Sequence, residues 1–138
     1  MRKAHTVLIG FVLLAVLLGS RGRAQADEEA DLRAANAEGI ALYQKGEYPR
    51  AAPAFEQALE LAPRVFGAEH QNTASIMNNL ACTYYFMGQY AKAEPLHQRS
   101  LKIRELTLGL DHPEVAQSLN VLANLYRDMG QYAKAEPL

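Results

Sequence analysis

Two histidines, each preceded by an acidic residue, are the side chains that most resemble a metal site in this sequence. His70 ends the segment GAEH and His112 ends the segment GLDH, so Glu69 and Asp111 supply one carboxylate each. A dedicated zinc site gathers three or four ligands at close spacing, whereas these two pairs stand 42 residues apart in separate loops. We therefore predict no metal site. We interpret both histidines as turn residues whose acceptor atoms bind the free N–H groups at the start of the following helix.

Catalytic chemistry is the second possibility, and the sequence contains none of the patterns that indicate it. It has no glycine-rich phosphate loop, no nucleophile elbow and no paired carboxylates fixed across a pocket. Cys82 is the single cysteine, so an internal disulfide is impossible, and no base stands near it to activate the thiol. We interpret Cys82 as a small, partly buried apolar residue, with an intermolecular disulfide or a reactive thiol as alternatives. We predict neither an enzyme nor a cofactor.

The distribution of charge argues against nucleic acid as a partner. Four of the 14 basic residues precede Asp27, while all 15 acidic residues lie from Asp27 onward. Residues 27–138 therefore carry ten basic and fifteen acidic groups, a net charge of −5. A protein that neutralises a phosphate backbone needs a basic stripe, and none remains in this part of the sequence.

Asn36, Asn78 and Asn120 recur at intervals of 42 residues, and they are candidate binding groups. Asparagine is unfavourable inside a helix, so its return at one position needs a reason. A row of amides could hydrogen-bond the backbone of an extended peptide without reading its side chains. The alternative is that these amides bond between neighbouring helices and hold the stack together.

The elements that would position this row come from an internal repeat. The segment MGQYAKAEPL occupies residues 87–96 and returns unchanged at residues 129–138. The segment GEY at residues 46–48 precedes GQY at 88–90 and again at 130–132, in the same 42-residue register. A fixed period of this size is typical of stacked repeats.

Each unit of the repeat is predicted to contain two helices. Apolar residues recur at steps of three and four, the spacing of one helical face. Pro113 suits a first helical position and Gly130 suits the residue after a helix end. The predicted helices cover residues 27–45, 49–62, 72–87 and 91–108, with a fifth from Pro113 to about Gly130. No stretch alternates apolar and polar residues, so we expect no sheet. Pro53, Pro95 and Pro137 recur inside the second helix of each unit and should bend its first turn.

Three sets of residues carry a recognisable pattern. They are Leu80, Ala81, Tyr84, Gly88, Tyr90 and Ala93; their copies Leu122, Ala123, Tyr126, Gly130, Tyr132 and Ala135; and Gly39, Leu42, Gly46, Tyr48, Ala51, Phe55, Ala58 and Pro63 in the first unit. This pattern resembles the tetratricopeptide repeat, and the 42-residue period is similar to its kinesin-light-chain type. The resemblance covers residues 31–138. It divides a domain at 27–138 into units at about 32–65, 74–107 and an incomplete 116–138.

The resemblance implies an all-α fold in which antiparallel helix pairs stack into a right-handed superhelix. It also implies a concave groove, lined by the first helix of each pair, that holds a peptide or a partner protein. Glu38 stands where Leu80 and Leu122 stand in the other units, which is consistent with a terminal unit whose outer side faces water. His97 and Ser100 also depart from the pattern, because they replace apolar residues.

The groove implied by the resemblance would present twelve partner-binding candidates. They are Arg33, Asn36, Ile40, Tyr43, Asn78, Asn79, Cys82, Tyr85, Phe86, Asn120, Asn124 and Arg127. Tyr43, Tyr85 and Phe86 would form an aromatic strip of the kind that anchors a partner, or they would pack between units. Arg33 and Arg127 are the only cations expected on this surface, so we do not predict a clamp for a C-terminal carboxylate.

Residues 1–26 are predicted to be a signal peptide. Arg2 and Lys3 precede the apolar run at residues 7–18, and residues 24–26 are the small segment that a signal peptidase requires. We expect cleavage after Ala26, because twelve apolar residues fall short of the ~20 that span a bilayer as a helix. The mature chain is then periplasmic or secreted. The alternative is an uncleaved N-terminal membrane anchor.

The sequence ends at Leu138, one or two turns into the second predicted helix of the third unit. A helix pair cannot bury its apolar face alone, so we expect the N-terminal fragment of a longer exported protein; the alternative is a second copy that completes the last unit.

The predicted function is a non-enzymatic scaffold that binds a protein or peptide. By resemblance, the chain could instead be the recruiting or regulatory arm of a larger enzyme with a C-terminal caspase-like (CHAT) domain, or a spacer without a specific ligand.

Overall fold

All regular elements in the described part of the chain are helices. The computed structural model describes the backbone of residues 2–138 and the side chains of residues 21–138. The helices are α1 (Arg2–Gln44), α2 (Tyr48–Val65), α3 (Gln71–Phe86), α4 (Tyr90–Leu108), α5 (Pro113–Asp128) and α6 (Tyr132–Ala135). The expected all-α fold without a sheet is confirmed for these residues.

Glycines end the first helix of each unit. Gly46 has a positive φ of 74°, which permits the N–H of the next residue, Glu47, to donate to the carbonyl of Leu42 at 2.9 Å. The same bond recurs after Gly88 and Gly130 at 2.8 and 2.7 Å. This arrangement satisfies carbonyls that the end of a helix leaves free, and a residue with a side chain adopts it only under strain.

His70 and His112 begin α3 and α5 as N-cap residues. The Nδ1 atom of His70 accepts a hydrogen bond from the N–H of Asn72 at 3.1 Å, and that of His112 accepts from Glu114 at 3.2 Å. The interpretation of both histidines as turn residues is therefore confirmed. Across the described residues, no group of three or more His, Cys, Asp or Glu side chains is placed to hold a metal ion.

Two predicted helix limits are wrong. The predicted first helix starts at Asp27, whereas α1 already runs from Arg2 and passes that point without a break, so the acidic residues from Asp27 onward do not begin a helix. Pro137 was expected inside a helix, but α6 ends at Ala135. A proline removes one backbone hydrogen bond and disfavours helix in the residue before it. None of the four residues of α6 is buried to offset that loss, whereas α2 and α4 continue through Pro53 and Pro95.

The apolar run of the predicted signal peptide lies outside the residues whose side chains the structure describes. Among the residues that are described, no helix combines the length and the apolar character needed to cross a membrane.

One apolar cluster connects the first five helices. Consecutive helices pack against each other, and buried side chains from each join the cluster. Its members are Leu42, Ala51, Ala52, Phe55, Leu80, Ala81, Tyr84, Ala93, Leu122, Leu125 and Tyr126. Because Leu80 and Tyr84 return 42 residues later as Leu122 and Tyr126, α3 and α5 bury the same residues against the helices that precede them.

Helix α4 buries polar residues where α2 buries apolar ones. His97, Ser100 and Arg104 occupy the repeat positions of Phe55, Ala58 and Ala62. Ser100 Oγ donates to the carbonyl of Ala74 in α3 at 2.8 Å, and Arg104 donates to Ser118 Oγ in α5 at 2.7 Å. The Nε atom of Arg104 also lies 3.5 Å from the Glu114 carboxylate, which is an ion pair without a hydrogen bond. These contacts join α4 to both of its neighbours.

Candidate partner-binding groove

Four cavities follow one another along the face of α1, α3 and α5, and we call this face the groove. The Asn36 cavity, about 330 Å³, and the Tyr43 cavity, about 350 Å³, lie between α1 and α3 and share Ile40 and Asn79. The Asn36 cavity is lined by Leu32, Arg33, Asn36, Ala37, Ile40, Phe66, Asn72, Ser75, Ile76 and Asn79. The Tyr43 cavity is lined by Ile40, Tyr43, Gln44, Phe55, Asn79 and Cys82.

The other two cavities continue the groove toward α6. The His97 cavity, about 240 Å³, lies between α3 and α5 and is lined by Cys82, Tyr85, Phe86, His97, Val121 and Asn124. The Arg127 cavity, about 370 Å³, is lined by Ala123, Asn124, Arg127, Tyr132, Ala135 and Glu136. Cys82 joins the His97 cavity to the Tyr43 cavity, and Asn124 joins it to the Arg127 cavity. The groove is therefore continuous from α1 to α6.

Ten of the twelve sequence candidates line these four cavities. The exceptions are Asn78 and Asn120, two members of the asparagine row. Asn120 is exposed on α5, and Asn78 is half-buried beside α4. The three asparagines therefore share a repeat position but not an environment.

Asn78 is held by a buried histidine of α4. The Nδ1 atom of His97 lies 3.2 Å from Asn78 Oδ1, and the Asn78 amide nitrogen lies 3.9 Å from Cys82 Sγ. His97 is only 2% exposed. Burial, reinforced by the positive charge of Arg104, lowers the pKa of His97 to about 4, so the ring is neutral at pH 7. The Asn78 carbonyl therefore fixes the single ring proton on Nδ1, and this bond connects α3 to α4.

Asn36 has no such donor. Its Oδ1 atom is buried and has no hydrogen-bond partner within residues 21–138. Phe55 occupies the repeat position of His97 and packs against Gly39, where an added Cβ would lie 2.7 Å from Phe55 Cδ1. Forty-two residues later, Ala81 and the smaller His97 occupy the repeat positions of Gly39 and Phe55. Of the two rings at this repeat position, His97 alone supplies a hydrogen-bond donor to the asparagine.

An aromatic cluster borders the Tyr43 and His97 cavities. The Phe86 ring centroid lies 5.9 Å from that of Tyr43 and 5.4 Å from that of Tyr85, so the three residues of the expected strip are in contact. Sequence reasoning missed Tyr48 and Tyr90, which extend the cluster at 5.0 Å from Phe86 and 5.5 Å from Tyr85. The repeated Gly-x-Tyr segment was the signal for both. Phe86 is 54% exposed and forms the accessible part of the cluster.

Charge and reactivity in the groove are low. Burial raises the pKa of the Cys82 thiol, against the opposing effect of Arg104, so the thiol stays protonated at neutral pH. Arg33 forms an ion pair with Glu29 on its own helix, and Arg127 donates to Asn124 at 2.8 Å. The groove therefore presents amides and aromatic rings, together with these two arginines.

Comparison with known proteins identifies the family of this chain. The family model described as tetratricopeptide repeat matches residues 31–105 and 83–138. The chain belongs to the tetratricopeptide-repeat family. No curated protein sequence matches it. Tetratricopeptide repeats generally mediate protein–protein interaction, and the fold is typically a non-enzymatic scaffold.

Solved structures place the chain among tetratricopeptide proteins of the kinesin-light-chain type. BtubC (BKLC) from P. vanneervenii is 29% identical with a TM-score of 0.70, over 77% of this chain and 42% of that chain. Kinesin-light-chain-type TPR-like repeats from Podosopora anserina are 27% identical with a TM-score of 0.66, over 75% of this chain and 49% of that chain. The resemblance that the sequence suggested is confirmed. The chain spans less than half the length of both tetratricopeptide proteins.

The TPR domain of Arabidopsis FLU is similar in fold. Its TM-score is 0.69 at 20% identity, and the match covers 80% of this chain and 89% of that domain. This likeness supports the helical solenoid of tetratricopeptide repeats.

Proposed function

We propose that this chain binds an extended segment of a partner protein along the groove formed by α1, α3 and α5. The observation that carries the proposal is the continuity of the four cavities, each of which shares a lining residue with the next. A peptide in an extended conformation can occupy such a row of shallow sites with successive side chains and expose its backbone to the amides between them.

The chemistry of the groove indicates the character of the segment. Its accessible aromatic rings are Phe86 and Tyr132, which are 54% and 67% exposed, and aromatic residues dominate the binding energy of interfaces. Both arginines of the groove already have partners on their own helices, so a terminal carboxylate would have to displace those contacts. We expect an internal, mostly neutral segment with apolar side chains.

The test is selection of peptides from a random library displayed against the full chain, followed by calorimetric measurement of affinity. Substitution Phe86→Ala should weaken the selected peptide at least about tenfold, because a central aromatic contact is lost. The matched control is Leu106→Ala, which removes an equally apolar side chain that is 73% exposed on α4 and lines none of the four cavities. Helicity should be unchanged in both variants.

Two outcomes would contradict the proposal. One is equal affinity of the selected peptide for the Phe86 and Leu106 variants, which would place binding outside the groove. The other is that the selection yields no peptide whose labelled form binds the folded chain and is displaced by the same peptide without a label. An enzyme-recruiting arm would use the same groove, so this experiment tests both forms of the function.

We also propose that the chain is exported and forms the front part of a longer protein. Support comes from the signal-peptide pattern at residues 1–26 and from the greater length of the two similar kinesin-light-chain-type proteins. The test is the intact mass of the native protein recovered from its producing cells. A mass equal to that of residues 1–138 would contradict export with cleavage, and a mass equal to that of residues 27–138 would contradict the longer protein.

A further inference from the structure

The imidazole of His97 has one nitrogen without a partner at the wall of a cavity. Nδ1 carries the ring proton and faces the carbonyl of Asn78 at 3.2 Å, whereas Nε2 is buried and has no hydrogen-bond partner within residues 21–138. The ring lines the His97 cavity, and Nε2 is the ring nitrogen that remains to serve it. A buried acceptor without a donor is unfavourable and calls for an explanation.

The thiol of Cys82 lines the same cavity. Asn78 contacts both groups, because its carbonyl accepts from His97 and its amide nitrogen lies 3.9 Å from Cys82 Sγ. A carbonyl that binds one N–H of an imidazole fixes the tautomer in which the other nitrogen presents a lone pair, as it does for histidines that bind metal ions. A sulfur atom and a ring nitrogen are therefore held at one cavity by a shared neighbour.

Both donor atoms belong to departures of the second unit from the first. The repeat positions of Cys82 and His97 hold Ile40 and Phe55 in the first unit, and neither of those side chains can bind a metal ion. The thiol and the imidazole therefore occur together in the second unit and are absent together from the first.

The rest of the cavity wall supplies no strong ligand. No third His, Cys, Asp or Glu side chain joins the thiol and the imidazole in the part of the chain that the structure describes. A zinc site takes three or four ligands from the protein, whereas copper(I) is stable with two and is selected by soft thiolate ligands. The remaining lining residues are Tyr85, Phe86, Val121 and Asn124.

The charge around the cavity suits a monovalent cation bound to a thiolate. The thiolate is the metal ligand, so binding of an ion M⁺ converts Cys–SH into Cys–S–M and releases one proton. Burial raises the pKa of the Cys82 thiol, but the positive charge of Arg104 opposes this effect and favours the thiolate. The bound pair is neutral, so it avoids the cost of an uncompensated buried charge, which a divalent ion would incur.

We propose that Cys82 and His97 form a two-coordinate site for a soft monovalent cation of the copper(I) class, with Sγ and Nε2 as its ligands. Asn78 is a positioning residue of this site, because it holds the ring proton on Nδ1. The site lies in the groove, but it requires no partner peptide and is therefore independent of the proposed function.

The experiment uses silver(I), which has the charge and the filled d shell of copper(I) and keeps its oxidation state in air. The full, reduced, ¹⁵N-labelled chain is titrated at pH 7 while the ring nitrogens of the histidines are followed by NMR. One equivalent of Ag⁺ should shift the Nε2 resonance of His97 and leave Nδ1 protonated. The ring nitrogens of His70 and His112 should not move, and Zn²⁺ should not shift His97.

Variants separate the two ligands and the positioning residue. Cys82→Ser should abolish the Nε2 shift, and Ala81→Gly with His97→Phe should leave a lone thiol that binds Ag⁺ at least about tenfold more weakly. Asn78→Leu should weaken binding by about ten- to a hundredfold, which is typical when the supporting group of a metal ligand is lost. The matched control is Asn36→Leu, the same substitution at the same repeat position of the first unit, which should leave the affinity for Ag⁺ unchanged.

Three outcomes would overturn the inference. The first is binding of Ag⁺ without a shift of His97 Nε2, which would indicate an ordinary thiol. The second is a comparable shift of Nε2 with Zn²⁺, and the third is equal affinity of the unmodified chain and the Ala81→Gly, His97→Phe variant. The first two are measured on the unmodified chain, so they decide the question even if a variant does not fold.

Discussion

His97 carries a titratable ring into the interior of the helical stack, and this makes the stability of the chain depend on pH. Its pKa falls from the ordinary 6.5 to about 4 because burial and Arg104 both disfavour the charged ring. Between these two values the unfolded chain takes up a proton that the folded chain does not. The free energy of unfolding should therefore reach its highest value above pH 6.5 as far as His97 determines it. It should decline as the pH falls to about 4, by about 3 kcal/mol in total.

Urea unfolding at a series of pH values measures this decline. The control is the Ala81→Gly, His97→Phe variant, which keeps a buried ring without a titrating group. All other ionisable groups are the same in both proteins, so the comparison isolates His97. The variant should show a shallower slope between pH 4 and 6.5, whatever its absolute stability. Parallel slopes would mean that His97 is not buried as a neutral ring.

The candidate site was predictable as a surface, but its individual roles were not. The resemblance to the tetratricopeptide repeat identified ten of the residues that line the groove, because it implies which face of α1, α3 and α5 forms that groove. The partner of Asn78 lies on another helix, and its identity depends on packing that no local pattern records. The only indication of this contact in the sequence was His97 itself, a polar residue at a repeat position where the pattern expects an apolar one.

At the scale of elements, the polar face of α4 is the least regular feature of the repeat. Arg104 is 6% exposed and connects α4 to α5 through Ser118. Removing one partner of such a buried contact strongly destabilises the folded chain, because the other partner stays buried without its hydrogen bond. This helix therefore depends on specific polar contacts where α2 depends on alanine and phenylalanine packing.

Substitution Arg104→Ala should lower the free energy of unfolding by about 2 kcal/mol, the typical contribution of a buried hydrogen bond to a charged group. The control on the same helix is Arg99→Ala, whose ion pair with Glu69 at 3.5 Å joins two exposed side chains. An exposed pair contributes about 0–1 kcal/mol, so that variant should remain close to the original chain. Equal losses in the two variants, measured by urea unfolding at pH 7, would show that the contacts of Arg104 do not hold α4 to α5.

Helix limits were predictable where local chemistry sets them. Pro113, the capping histidines and the glycines with positive φ mark their helix ends in the sequence itself. The start of α1 was not predictable from the acidic residues at 27–31, because a favourable charge position is a weak preference that an uninterrupted helical segment overrides. Pro137 lies beyond the end of α6, whereas Pro53 and Pro95 lie inside α2 and α4, so the proline pattern alone does not reveal where a helix ends.

At the scale of the whole molecule, the repeat creates the same tertiary contacts twice. Tyr84 donates to Glu56 in the preceding helix, and Gln98 donates to Tyr126 at 2.7 Å at the same two repeat positions. Lys92 lies 5.1 Å from the ring centroid of Tyr84, and Lys134 lies 5.2 Å from that of Tyr126. The period read from the sequence therefore predicts long-range contacts as well as helices. Only the residues that vary between copies, such as His97, lie beyond that prediction.

A stack in which each unit contacts only its neighbours should open unevenly. Helix α3 packs against both α2 and α4 and contributes eight buried residues, whereas α6 packs against α5 and contributes none. Hydrogen exchange followed by mass spectrometry on the full chain should show α6 amides that exchange first and α3 amides that exchange last. The reason is that opening α6 exposes no buried residue of its own, while opening α3 breaks the apolar cluster on both sides. Exchange of α6 as slow as that of α3 would mean that the described helices unfold as one cooperative unit.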